Sequence, residues 1–368
     1  MFRLLAAAAV AMVCANLRAA VVAVKNGTEK EVSFTLSQGE NPALAVKLRA
    51  GETRALRVGR TPAITVNLAG KPETHKLEPY AAYAFTQDRK GPPVFRSLEF
   101  CAPLPNPADV PETPVDAKAF RVPVHFSADD ADPRSKEGWE RDLRKRLAAA
   151  SEILENQCGM SLGIEVNGDW KSDPDATDLE SQLEGFERAF PAKADVLLLG
   201  CMTRPPKGAS LFGTLRAPWG WHLLMREGEP KAESARLEVL VHHLGLYAGA
   251  VRSSDPNSVM SSRVGNGRTA KADFRIAFDA LNLLAIHVWI EERRAGVRSE
   301  WSDLSPEGRE RLLVLYRTQA KLNEQSKSGD LQAKEYAEAL DAVKRGDALK
   351  TLPRPDARSP DLYKSLPK

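Results

Sequence analysis

The stretch Ser234–Ser262, S-A-R-L-E-V-L-V-H-H-L-G-L-Y-A-G-A-V-R-S-S-D-P-N-S-V-M-S-S, decides how this chain is read. Leu237, Val241, Leu244, Ala248 and Val251 recur at steps of four and three, which puts one apolar stripe on a helix. Gly245 and Gly249 fall within it, and each costs about 1 kcal/mol in a helix interior. Such residues point to close backbone approach or a sharp exit. Asp255-Pro256-Asn257 then forces a turn, and Val259-Met260 is an apolar pair flanked by serines.

Together these residues resemble the active-site helix and Met-turn of the metzincin metallopeptidases, whose pattern is H-E-x-x-H-x-x-G-x-x-H. In that family three histidines hold zinc and the glutamate is the general base for the bound water. His242 falls at the first ligand position, Gly249 at the turn glycine, and Asp255 and Met260 in the Met-turn, with Gly245 as a further structural glycine. The departures carry the functional message. His243 stands at the base position, Leu246 at the second ligand and Arg252 at the third. Adjacent helical residues point about 100° apart, so His243 does not deputise for a ligand at 246. A fixed cation at 252 repels a metal at short range.

The resemblance therefore implies a zinc-peptidase architecture without its chemistry: no catalytic residue, no metal and no cofactor. The expected role is that of an exported pseudopeptidase, holding a peptide or protein or serving as a scaffold. Its cleft would be lined by Trp219, Trp221, His222, His242, His243 and Arg252, with Trp219–Glu227 as the antiparallel edge strand above it. Two alternatives stay open. One is a zinc metalloendopeptidase with non-standard ligands that include His242, for which Glu238 and His222 are the nearest candidates. The other is a structural or adhesion protein of the cell envelope.

Around this stretch the chain reads as several parts. Residues 21–100 alternate in short runs, such as Val32-Ser33-Phe34-Thr35-Leu36, broken at Asn26-Gly27, Gly39, Gly51 and Gly70. That spacing predicts a small all-β sandwich or barrel. Residues 101–119 carry five prolines and read as a stiff linker. Residues 120–292 predict an α/β domain with a mixed twisted sheet and long helices, its middle strand at Ala194–Gly200 nearly all apolar. Within 293–350, two helical patterns separated by Ser326-Lys327-Ser328-Gly329 predict a helical hairpin, and 351–368 is a proline-rich tail.

Residues 1–20 read as a secretory signal: Arg3, an apolar run from Leu4 to Ala15, then Ala19 and Ala20. The expected place is thus outside the cell, in the periplasm or in the envelope. Beyond that leader no run is long and apolar enough for a transmembrane anchor. A net charge of +3 over 368 residues, with no basic block, argues against nucleic acid as a partner. There is no G-x-S-x-G elbow and no phosphate-binding glycine loop. Past Cys14, the cysteines are Cys101, Cys158 and Cys201. Cys158 with Cys201 is the preferred disulfide, and three buried thiols are the alternative. Oligomeric state is not readable.

Overall fold

The structure is a computed structural model. It describes residues 20–347 except 40, 69, 88–90, 106–109, 111–117, 194, 205–211, 216–219, 229, 266, 272–273, 298–300 and 329. Residues 1–19 of the leader, the 351–368 tail, much of the 101–119 linker, and Trp219 lie outside that set. The chain forms two compact units, Met1–Glu99 with Pro103–Lys118, and Phe100–Ala102 with Ala119–Lys368.

The first unit is the expected β-sandwich. Its strands are β1 (Ala20–Asn26), β2 (Val32–Gln38), β3 (Asn41–Leu48), β4 (Thr53–Val58), β5 (Pro62–Leu68), β6 (Lys71–Lys76), β7 (Ala82–Thr86) and β8 (Val94–Ser97). They form two four-stranded sheets, β4-β1-β7-β8 and β3-β2-β5-β6. On β2 the alternation sends Val32, Phe34 and Leu36 inward and leaves Ser33 exposed. Phe34 from one sheet meets Phe85 from the other with ring centroids 5.7 Å apart. At Asn26-Gly27 the buried Asn26 amide donates to the carbonyls of Lys30 and Leu48, at 2.7 and 2.9 Å, which satisfies the turn from inside.

The second unit is built on β9 (Phe120–Asp129), α1 (Lys136–Cys158), β10 (Met160–Trp170), α2 (Leu179–Ala189), β11 (Leu197–Met202), β12 (Gly213–Leu215), β13 (His222–Arg226), α3 (Glu233–Tyr247), α4 (Ala280–Arg294), α5 (Pro306–Gln325) and α6 (Gln332–Arg345). The sheet order is β10-β9-β11-β13-β12. Every pairing is parallel except β12 with β13. All six residues of β11 are buried, as expected for a central strand covered on both faces. Pro123 fits inside β9 because pairing with β11 begins only at Val124, so one neighbour alone flanks the proline.

Two expectations are corrected. The segment around 219–227 does not form the antiparallel edge. β13 is parallel to β11 and wholly buried, and the edge strand is the short β12. The reason is that β13 carries Leu223, Leu224 and Met225 at its centre and takes the inner position, with β12 laid outside it. The expected C-terminal helical hairpin is present as α5 and α6, within the second unit. The rings of its Tyr316 and Tyr336 meet each other and Trp301 pairwise at 5.2–6.1 Å, and Tyr316 Oη donates to Gly249 O.

Secondly, Cys158 and Cys201 do not pair; both are free and buried. Met160 stands opposite Phe120 at the start of β9, whereas Cys201 stands opposite Ala128 near its end. At about 3.3 Å per residue that register separates the two ends of the sheet by roughly 26 Å, far beyond the ~7 Å Cα limit of a disulfide. Burial pushes the Cys158 thiol up to about 12 and raises that of Cys201 as well. In the native protein, thiol reagents are expected to modify the exposed Cys101 and to reach Cys158 and Cys201 only on unfolding, with Tm unchanged by reductant. A Tm that falls in dithiothreitol would contradict this arrangement.

Candidate functional site

The site is built around α3. From Glu238 to Tyr247 every residue of this helix is buried, so it is covered all round and not along a single stripe. Polar groups in such a helix need internal partners. His242, 1% exposed, donates Nδ1–H to the Val259 carbonyl at 2.9 Å. His243 donates Nδ1–H to Val239 O, one turn back, at 2.8 Å. The two rings meet edge to face at 5.2 Å. Burial, then the neighbouring imidazole and the guanidiniums of Arg252 and Arg268, hold His242 well below the ordinary 6.5.

The glycines have physical reasons. A Cβ on Gly245 would lie 2.6 Å from a Phe278 ring carbon and 2.9 Å from Met260 Sδ, so helix backbone and bend are in direct contact there. Gly249 has φ +83°, the left-handed conformation that ends the helix. Its neighbour Ala250 donates N–H to Gly245 O at 2.9 Å. Opposite the helix, a Cβ on Gly213 would sit 2.9 Å from His243 Nε2, so β12 passes close over that ring.

Beneath α3 the bend at 255–260 is held by side chains. Asp255 accepts from the Asn257 N–H at 3.0 Å, closing the turn through its own carboxylate. Ser258 Oγ donates to Asp279 Oδ2 at 2.7 Å and accepts from the Met260 N–H at 3.1 Å. Arg268 reaches the carbonyls of Pro256 and Ser258 at 2.7 and 2.9 Å, and its Nε donates to Glu238 Oε1. Glu238, 0% exposed, is thus an ion-pair partner of Arg268 and also accepts the Gly265 N–H at 3.1 Å. Desolvation still raises its pKa. This corrects the reading of Glu238 as a partner for His242.

The expected cleft residues are not gathered into one surface. Alternation along β13 sets His222 with Leu224 on the face covered by α2, where its Nε2–H donates to Phe190 O at 2.7 Å. Gly213 pairs with Met225, and it is this other face of the sheet that His243 approaches. His222 and His243 therefore lie on opposite sides of the sheet. Trp221 packs its ring under the Arg293 guanidinium, 4.6 Å from the centroid. Arg252 is buried and ion-paired with Asp330 at 3.5 Å. Trp219 lies outside the described residues.

Among the described residues no three His, Cys, Asp or Glu side chains converge as a metal-holding group, and Leu246 and Arg252 stand where the resemblance would put two of its three zinc ligands. Arg268, Asp279, Asn282, Gln332 and Asn323, which hold this region together, escaped the sequence reading. The contacts they make to the loop and the bend span 10–80 residues in sequence, although Asp279 also caps α4 and bonds Asn282 three residues on.

No family model matches the chain, and no curated protein matches it. Among solved structures, archaemetzincin from Methanopyrus kandleri is 17% identical, with a TM-score of 0.31 over 47% of this chain and 89% of that one. A zinc-dependent peptidase from Methanocorpusculum labreanum is 15% identical, with a TM-score of 0.32 over 44% of this chain and 99% of that one. Metalloproteinase-II from Bacteroides fragilis is 11% identical, with a TM-score of 0.34 over 70% of this chain and 91% of that one. The likeness to these peptidases is distant and partial.

The neutral His242 has a consequence for stability. Its folded pKa lies below the unfolded value, so in between the unfolded chain binds the extra proton and stability rises with pH. The contribution is present above about pH 6.5 and is lost as pH falls below it, with a slope of up to about 1.4 kcal/mol per pH unit. Denaturant titrations between pH 4 and pH 8 are expected to show a shallower pH dependence in His242→Gln than in wild type. Equal slopes would show that His242 is not buried as the neutral base.

Proposed function

We propose that this chain is a non-catalytic, exported metzincin-like protein whose peptidase-type architecture serves as a scaffold. The observation that carries the reading is Arg252. At the third ligand position, its guanidinium is 3% exposed and committed to Asp330, a carboxylate supplied by the C-terminal hairpin. Leu246 at the second position is 0% exposed and contributes only packing. His243, at the base position, is bound to its own helix. A scaffold is favoured over a peptide-holding cleft because His242, His243 and Arg252 are buried and His222 faces the other way.

Zinc analysis of purified, tag-free protein tests this. The expected result is zinc far below one ion per chain and unaffected by His242→Ala. Near-stoichiometric zinc that disappears in His242→Ala would overturn the proposal in favour of a peptidase with altered ligands. One observation supports that second reading: His242 is held by Nδ1–H to a carbonyl, the tautomer that leaves Nε2 as the ligating nitrogen.

Export rests on the leader, whose Arg3, apolar run from Leu4 to Ala15 and small residues at 19 and 20 suit a cleaved signal. N-terminal sequencing of protein from its native cells is expected to begin after Ala15 or Ala20. A retained Met1 would remove this part of the proposal.

A further inference from the structure

The loop that leaves α3 is satisfied from an unexpected direction. Tyr316 Oη donates to Gly249 O at 2.7 Å. The Arg252 N–H donates to Gln332 Oε1 at 2.8 Å, and the Arg252 carbonyl accepts from Asn323 Nδ2 at 3.0 Å. The other end of the Asn323 amide accepts the Ser254 N–H at 2.9 Å. Gln319 donates to Asn323 Oδ1 at 2.8 Å and so fixes which way that amide points. Arg252 adds its ion pair to Asp330. All these partners lie on α5, on α6 or in the turn between them, 67–80 residues away in sequence.

Tyr316, Gln319, Asn323 and Gln332 are each at most 5% exposed. Burying amides on a helix is unfavourable unless each finds its partner; here Asn323 and Gln332 find theirs in the main chain of one short loop, and Gln319 finds its own in Asn323. That match is specific in position and in polarity: the amide of Asn323 is read at both ends.

We propose that the C-terminal hairpin is a built-in strap that locks the loop at 249–254, and that any ligand for this end of α3 must first displace it. While the strap is seated, Arg252 is committed at its main-chain N–H, its carbonyl and its guanidinium. The loop and the hairpin then open together as one unit, and this holds whether or not a metal binds near His242. Failure of the strap is therefore distinguishable from failure of the scaffold reading.

Hydrogen exchange followed by mass spectrometry on the full chain tests the coupling. In Asn323→Leu and Gln332→Leu, amides in 250–256 and in α5 and α6 are expected to exchange about tenfold faster together, as loss of one or two buried hydrogen bonds allows. Amides of β9 and β11 are expected to stay as in wild type. Tyr316→Phe removes one hydroxyl and keeps the ring packing, so it remains foldable and is expected to show the same joint pattern at smaller amplitude. Loop amides that keep wild-type protection while the hairpin exchanges faster, in any of the three variants, would overturn the proposal.

Discussion

A helix buried on every side has no water to fall back on, and this constraint governs the second unit. α3 carries Glu238, His242 and His243 into a region where unpaired polar atoms are costly. Each is answered by a different device: a guanidinium from outside the helix, a carbonyl of the bend beneath it, and a carbonyl of its own preceding turn. The close contact of Gly245 with Met260 and Phe278 follows from the same demand, since only bare backbone lets the bend come near enough for Val259 to accept from His242.

Arg268 shows how such a requirement spreads. Its guanidinium is satisfied on one side by Glu238 and on the other by the carbonyls of Pro256 and Ser258. Removing it would leave a buried carboxylate and two carbonyls short of a donor, which costs more than the pair contributes when intact. A comparable arrangement sits at the C-terminal end of β13. There Arg146 grips Glu227 through two bonds of 2.7 and 2.9 Å and also holds Glu233 at the start of α3. The N-terminal half of α3 is thus anchored by two guanidinium groups, one at Glu233 and one at Glu238.

Much of the architecture was legible in local pattern. The alternating runs with Asn26-Gly27 and Gly51 mark a sandwich because side chains alternate faces along a strand. The apolar run at 197–202 marks a central parallel strand. Gly245 and Gly249 read correctly as a close approach and a sharp exit, because each reports a property of the backbone at its own position. The edge strand was misplaced because β12 is three residues long and carries too little pattern, whereas β13 is apolar enough to draw attention to itself. The disulfide was misjudged because pairing depends on distance along the sheet, which only the register sets.

The spacing of His242, His243, Leu246 and Arg252, on which the resemblance to a zinc-peptidase motif and the departures from it rest, is a property of the sequence alone. Helix periodicity and glycine placement likewise belong to neighbouring residues, and short-range sterics is enough to read them. What surrounds those positions was decided only by tertiary structure. That His222 faces away from His243, that Glu238 serves Arg268, and that Arg252 is held by a hairpin some eighty residues downstream are matters of which chain segments meet. Such meetings are selected by burial and by the satisfaction of polar groups across the whole unit, and no local pattern encodes them.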